Sequence, residues 1–338
     1  MPKTIKNQFD KYLTYEKILE AHHNCQKGKK NRLNVIKFNM KQEEYALWLY
    51  EQLKTRKYRQ GEYFTFYVME PKKRKVEAAR YIDRVVHRWL FDNFLEPIFL
   101  PQMIETTYAC IKGRGMHKAA LDVQKAMKEC KKKYGNYYIL KMDVAKYFQN
   151  IDKDILMTII KRKIKDKDLL WLIDQTINAG RTESGIPIGN LSSQLFANLY
   201  YNEADQFIKH QLKVRYYFRY MDDSIILMEK KEDIKKVREE IEKFIQDKLK
   251  LQFNSKTNIF KSTQGVNFCG YKINEYRLKI RERGKRKIKK NIKKLKTKIK
   301  NGELTSKEAK KYLCGHFGYM KYANIYSFTR NNFAIDDE

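Results

Sequence analysis

The chain has 338 residues, 42% of them hydrophobic, with 24 Tyr and 18 Phe as bulky core material. That supports two or three subdomains around a real core and excludes a disordered chain. Lysine and arginine number 72 against 40 aspartate and glutamate, a formal net charge of +32, which points to a polyanion, nucleic acid first and an acidic membrane surface second. No run of 18 apolar residues is present, and the first twenty residues lack an apolar signal core. A membrane span and secretion are therefore not expected. Cys25, Cys110, Cys130, Cys269 and Cys314 are scattered with no CxxC pair, so no disulfide framework or zinc site is expected, and a reducing cytoplasm fits. "HHNC" at 22–25 has no matching second half of a metal site.

Residues 8–58 read as mostly helical, with "KQEEYALWLYEQLKTRKY" the clearest stretch. "YFTFYVME" at 63–70 alternates like a strand, and "DRVVHRWLFDNFLEPIF" at 83–99 has helical spacing. A helix is predicted over 117–134, then a strand entering a turn at "YYILKMDVAKYF", 137–148. "DILMTIIKRKI", "DLLWLIDQTINAG" and the long "SSQLFANLYYNEADQFIKHQL" at 192–212 read as helices. A β-hairpin follows around "RYMDDSIILM", then an amphipathic helix at "KKEDIKKVREEIEKFIQDKL" and a strand at "VNFCGYKI", 266–273. Strands mixed with helices, not strictly alternating, predict an α+β fold. From Lys272 to Lys300 there are 15 Lys/Arg and 2 Glu, with Ile288, Ile292, Leu295 and Ile299 at helical intervals. This reads as an amphipathic helix whose one-signed exterior repels itself unless a polyanion lies alongside.

Against that charge stand Asp222 and Asp223 at the predicted hairpin tip, and Asp143 where an apolar strand ends, 79 residues earlier. Aspartate is a common turn residue. Two neighbouring strands would instead bring the three carboxylates together, and converging carboxylates repel unless cations lie between them. Oxygen ligands suit Mg²⁺, and two such ions can clamp the attacking and leaving oxygens of a phosphoryl transfer. The basic surface then holds nucleic acid while the acids hold metal.

These residues resemble the reverse transcriptases. "YMDD" after a strand ending "MDVAKYF" looks like their palm, and further blocks follow in order over nearly the whole chain: "EPKKRKVEAARYIDRVVH", "YACIKGRGMHKA", "SGIPIGNLSSQLFANLYYNEAD", "LQFNSKTNIF", "VNFCGYKI" and "GHFGYMKYAN". Seven collinear blocks are a specific signal where one four-residue motif is not. In the block after Asp143 most prokaryotic members have a Gln-Gly and a Ser-Pro pair. Here "IGNLSSQ" puts Ile188 for the Gln and Gln194 for the Pro. That departure resembles the reverse transcriptases of diversity-generating retroelements. The resemblance implies a right-hand polymerase fold with fingers, a palm built on an antiparallel sheet, and a helical thumb. Its divisions would be an N-terminal helical extension at 1–60, fingers at 61–136 and 155–185, palm at 137–154 and 186–275, and a basic thumb at 276–338.

It also implies roles. Asp143, Asp222 and Asp223, with the backbone carbonyl of Val144, would hold two Mg²⁺ ions, Mn²⁺ being able to substitute. Lys256 would protonate the leaving pyrophosphate. Arg74 would grip the triphosphate of the incoming dNTP, an Arg fork suiting phosphate oxygens, and Phe148 would exclude a ribose 2′-OH. Ile188, Gly189 and Gln194 would line the nucleotide pocket. Glycine allows close backbone approach, and an apolar Ile188 cannot supply the hydrogen bond of a Gln, so low fidelity is expected. Lys285, Arg286, Lys289, Lys290, Lys293 and Lys294 would contact nucleic acid. The implied function is an RNA-directed DNA polymerase of bacterial or phage origin, copying a template-repeat RNA into cDNA with errors opposite adenine. Its partners would be the template RNA, the RNA/cDNA duplex, dNTPs and a small basic accessory protein, with no membrane. The alternatives are a group II intron-related or defence-associated reverse transcriptase, or an RNA-binding scaffold with a dead palm.

Overall fold

A computed structural model describes residues 4–69, 73–179 and 185–333. Of the sequence blocks above, Glu70, Pro71, Lys72, Gly180 and Ser184 lie outside the described residues. In chain order the elements are α1 (Phe9–Tyr12), α2 (Tyr15–Gln26), α3 (Leu33–Met40), α4 (Gln42–Lys54), β1 (Phe64–Val68), β2 (Arg74–Ala78), α5 (Tyr81–Leu90), α6 (Glu96–Phe99), α7 (Met116–Tyr134) and β3 (Tyr138–Asp143). Then come α8 (Lys153–Lys161), α9 (Lys167–Asn178), α10 (Leu191–Gln206), β4 (Tyr216–Tyr220), β5 (Asp223–Met228), α11 (Lys231–Leu249) and β6 (Asn258–Lys261). Three short strands, β7 (Val266–Phe268), β8 (Tyr271–Ile273) and β9 (Leu278–Ile280), precede α12 (Glu282–Lys300), α13 (Ser306–Met320) and α14 (Tyr326–Phe333).

The chain divides into two compact units. The first comprises Met1–Ile104, Val144–Phe207 and Ile241–Gln252. Its core is helical and aromatic. Trp89 of α5 is fully buried, with Phe9 and Phe94 edge-on to it at 5.4 Å each. The helices α8 and α9 start where Asp152 and Asp166 accept backbone N–H bonds of the first turn, so each helix has its cap in sequence. The antiparallel hairpin of β1 and β2 leaves every β1 side chain exposed.

The second unit comprises Glu105–Asp143, Ile208–Glu240 and Phe253–Glu338. Its frame is a four-stranded sheet in the order β4-β5-β3-β6. The strand β3 pairs antiparallel with β5 on one side and with β6 on the other. A sheet with β3 and β5 inside reads as near-continuous apolar sequence, and Leu140, Met142, Ile225 and Ile226 are fully buried. The helix α7 packs its Ala119, Val123, Met127 and Cys130 into a core shared with Tyr137, Phe268, Tyr271 and Ile288.

The predicted strand over 266–273 is instead a hairpin. Phe268 pairs with Tyr271, and the intervening Cys269 and Gly270 have φ of +47° and +84°. Two successive positive φ values close a two-residue turn. The basic stretch from Lys272 also begins as strand. Residues 272–280 finish a three-stranded sheet, and the helix starts only at Glu282. Alternation there buries Tyr271, Ile273, Leu278 and Ile280. Charge alone could not show that change of period. From Glu282 onward the predicted stripe is present, with Ile288 and Ile292 buried.

Candidate active site

The carboxylates are placed by strand register. Asp143, the last residue of β3, lies directly opposite Asp223, the first residue of β5. Opposed side chains on adjacent antiparallel strands are roughly 5 Å apart at Cβ. Tyr220 also pairs with Asp223, so Met221 and Asp222 alone form the tip. Asp223 is thus a strand residue, where the sequence suggested two turn acids. Around Asp143 the segment before β6 closes in. The Asn254 N–H donates to the Asp143 carbonyl at 2.9 Å, and the Asp143 N–H donates to Thr257 Oγ1 at 3.1 Å. Lys256 lies between those two residues with its side chain exposed. Val144, next along from Asp143, is buried.

Asp223 is unlike an ordinary turn acid. One carboxylate oxygen, Oδ1, is buried without a hydrogen-bond partner. The other accepts from Lys141 Nζ at 3.1 Å, and the same ammonium donates to the Asn267 carbonyl at 2.7 Å. Burial, the largest cause, and the charges of Asp143 and Asp222 push the Asp223 carboxyl up to about 6, with Lys141 opposing. An acid raised by burial and like charge is what a divalent cation would relieve. The donor set is all oxygen, which suits Mg²⁺ or Mn²⁺. Among the described residues no group of three His, Cys, Asp or Glu side chains is arranged around one point. The three-way convergence expected from sequence is therefore partial: two acids are paired across strands, the third is at the tip, and Lys141 holds one oxygen. Lys141 was missed, although alternation from Asp143 puts it on the same face of β3.

The remaining predicted residues are distributed over both units. Arg74 is exposed at the start of β2, opposite Val68. On the other face of that strand Lys75 pairs with Glu77 at 2.8 Å, and Lys73 lies 4.8 Å from the Tyr67 ring. Phe148 is half-buried and edge-on to Tyr147, whose hydroxyl donates to the Ala197 carbonyl. Ile188 is half-buried, and its carbonyl accepts from the Glu77 N–H at 2.9 Å. Gly189 has φ +128°, and a Cβ there would lie 2.9 Å from Val76 Cγ1 and 3.2 Å from the Glu77 carbonyl. Only glycine fits so close to β2 in that conformation. On α12, Arg286, Lys289, Lys290, Lys293 and Lys294 are exposed, while Lys285 is half-buried and pairs with Glu282 at 2.7 Å. A cleft of about 390 Å³ runs along this helix, lined by Lys289, Lys293, Lys296 and Lys300.

One feature of the first unit was not foreseen. Residues of α2, α3, β1, β2, α5 and the start of α10 enclose a cavity of about 780 Å³. Lys27, Lys29, Arg32, Arg84 and Arg88 line it with no aspartate or glutamate, and Gly189 and Gln194 lie in its wall. Phe66 also lines it, 40% exposed. Its five cations come from two segments far apart in sequence, the loop between α2 and α3 and the helix α5.

Residues 71–273 match the family of reverse transcriptases (RNA-dependent DNA polymerases). The chain is similar to Protein YkfC of Escherichia coli (strain K12), 25% identical over 232 residues covering 56% of this chain and 60% of YkfC. It is similar to the group II intron-encoded protein LtrA of Lactococcus lactis subsp. cremoris, 27% identical over 251 residues covering 53% of this chain and 41% of LtrA. The matched part is thus less than two thirds of each relative. Telomerase from Candida albicans, solved in complex with a fragment of telomeric RNA, has a TM-score of 0.50 at 12% identity, over 68% of this chain and 46% of that one. That is a likeness of fold, the α+β right-hand polymerase fold. No helix among the described residues is long and apolar enough to cross a membrane. With the match spanning more than half of its residues, Asp143, Asp222 and Asp223 included, the chain belongs to the reverse transcriptase (RNA-dependent DNA polymerase) family.

Proposed function

We propose that this chain is the RNA-directed DNA polymerase of a diversity-generating retroelement, making adenine-mutagenised cDNA from a template-repeat RNA. The observation that carries the polymerase reading is the register that sets Asp143 against Asp223 beside the Asp222 tip, within a reverse transcriptase chain. In the reaction the primer 3′-hydroxyl gives its proton to water and its oxygen bonds to the α-phosphorus of a dNTP, while the bond to the leaving pyrophosphate breaks. Two Mg²⁺ or Mn²⁺ ions held by Asp143, Asp222, Asp223 and the Val144 carbonyl would supply charge stabilisation for both oxygens. Lys256 supplies a proton to the pyrophosphate from a loop bonded to the Asp143 backbone. Arg74 takes the triphosphate, and the Phe148 ring excludes a 2′-OH. The α12 lysines, on a helix with one buried stripe, hold the backbone of the RNA/cDNA duplex. The carboxylate-free cavity, with an exposed aromatic among five cations, has the chemistry of a single-stranded RNA track. We assign the N-terminal extension, fingers, palm and thumb to the residue ranges expected from sequence. We place the enzyme in the cytoplasm of a bacterium, working with a small basic accessory protein.

The mutagenic part of the reading is supported by Ile188, whose side chain has no hydrogen-bonding group to select a base or sugar. One hydrogen bond is worth about 1 kcal/mol, and about 1.4 kcal/mol is tenfold in rate. Ile188→Gln is therefore expected to lower misincorporation opposite template adenine by several-fold, up to about tenfold, and more than it lowers total synthesis. The measurement is cDNA sequencing from a defined RNA template, with and without the accessory protein. If the wild type copies adenine as accurately as the other bases, a second reading takes over. That reading is a group II intron-related polymerase, favoured by the similarity to LtrA. No synthesis at all would leave the RNA-binding scaffold.

A further inference from the structure

The tip that carries Asp222 is not built from the residues such a turn prefers. With Tyr220 paired to Asp223, the two-residue reversal is Met221–Asp222, and Met221 has φ +58°. Tight hairpin reversals that need a positive φ at the first central residue favour glycine there. A side chain in the left-handed region is strained, because its Cβ crowds the following carbonyl oxygen. The Met221 side chain is nonetheless buried, 9% exposed. Some other group must hold this turn.

That group is Arg219. It is fully buried, among the largest side chains in the molecule to be so. Burying a guanidinium is costly unless its donors are used. One donor, Nη1, reaches two residues forward to the Met221 carbonyl at 2.9 Å. That carbonyl belongs to the same peptide unit as the Asp222 N–H, so fixing it fixes the plane from which Asp222 projects. The arginine is itself held. Its N–H donates to the Thr106 carbonyl at 2.9 Å, and its carbonyl accepts from the Tyr108 N–H at 3.0 Å. The Thr107 carbonyl between them accepts from Arg114 Nη1 at 2.8 Å. The segment from Thr106 to Arg114 thereby braces the edge of β4 at the residue that grips the tip.

We infer that Arg219 is a positioning residue for the Asp222 carboxylate, clamping the strained Met221 peptide so that the tip keeps one conformation. This rests on the reading of the tip as the polymerase centre. The experiment separates the two by measuring Mn²⁺ affinity with no nucleotide or nucleic acid present, alongside primer extension. Misplacing a catalytic group by an ångström costs on the order of a hundredfold. Arg219→Met is expected to lower kcat at least about tenfold with the KM for dNTP changed less than about threefold, and to weaken Mn²⁺ binding. Arg219→Lys, which keeps the charge on a single nitrogen without the guanidinium fork, is expected to recover part of both. The deciding comparison repeats each Arg219 substitution in a Met221→Gly background. Glycine takes the positive φ without strain, so the clamp matters less and the loss caused by the Arg219 change should shrink about threefold or more. Circular dichroism and thermal unfolding check folding; if Arg219→Met does not fold, Arg219→Lys carries the same comparison. Wild-type kcat and Mn²⁺ affinity in folded Arg219 variants would overturn the proposal. So would an equal proportional loss in both backgrounds. A wild type that binds Mn²⁺ at the tip but makes no DNA would sink the polymerase reading alone.

Discussion

The acidic tip of the second unit and the basic cavity of the first carry opposite charge, yet each follows the same rule. In each, an ionisable group with buried polar atoms is driven towards neutrality. Asp223, half-buried with its Oδ1 fully buried and with Asp143 and Asp222 nearby, is pushed up to about 6. His87, buried in the cavity wall, is pushed down to about 4, chiefly by burial. Other charged side chains of both sites lie at accessible positions. Lys27, Lys29 and Arg32 are exposed on the cavity wall, and Asp222 and Asp143 are half-exposed at the tip. The difference lies in what the field is for. In the proposed function, the acids, fixed by strand register, would focus charge on reacting atoms, whereas the cavity cations, on one loop and one helix, would hold a flexible polyanion.

Breaking the acidic side should have the largest effect. Asp222→Asn is expected to lower DNA synthesis by about a thousandfold or more while leaving RNA binding and folding intact. Asp222 is half-exposed and Asn is nearly its size, so the substitution leaves the core packing as it is. Primer extension with Mg²⁺, together with filter binding of RNA, checks both halves. Wild-type extension by this variant would remove the tip from the chemistry.

The buried cavity histidine gives the next effect, through pH. His87 Nε2 lies 2.8 Å from Gln60 Oε1, and Nδ1 lies 3.3 Å from Ser192 Oγ. Asp83, which favours its charging, and Arg84, which opposes it, are the nearby charges. Its folded value is below the unfolded one of 6.5. Its contribution to stability is therefore complete above pH 6.5 and is lost as the pH falls towards 4. The loss is about 3 kcal/mol, on the order of a hundredfold in the folding constant. Urea melts between pH 4 and 7 should show it, and His87→Gln should flatten that part of the profile. An identical slope in the two proteins would mean that His87 charges freely.

The smallest expected effects separate the two basic regions. Changing Lys29 and Arg32 to Gln should weaken binding of single-stranded RNA by about three- to tenfold and leave duplex binding nearly unchanged. Changing Lys289, Lys290, Lys293 and Lys294 to Gln should weaken both, and flatten the salt dependence, because fewer counterions are released. Titrations at several salt concentrations read this directly. Equal losses on both ligands from the cavity pair would show that the cavity does not discriminate strand number.

Much of this was legible in the sequence because it depends on local pattern. The periods of 3.6 and 2 placed α5, α7, α10, α11 and β3, and the acids ending apolar runs at Asp143 and Asp222–Asp223 marked the strand ends that meet. The family blocks added the order of the parts. What the pattern could not carry were decisions made across the chain. Cys269–Gly270 turns back on itself because β8 finds partners in both β7 and β9, which an apolar run of eight residues does not reveal. Lys141 reads as one lysine among many until β5 brings Asp223 to it and β7 brings the Asn267 carbonyl. Arg219 reads as a cation in an aromatic strand until burial and the Met221 carbonyl make it part of the tip. The cavity has no sequence signature, since its cations come from the loop between α2 and α3 and from the distant α5. Side-chain period is a property of neighbours along the backbone. Charge partners and enclosed volume belong to neighbours in space, and those exist only once the strands have chosen their register.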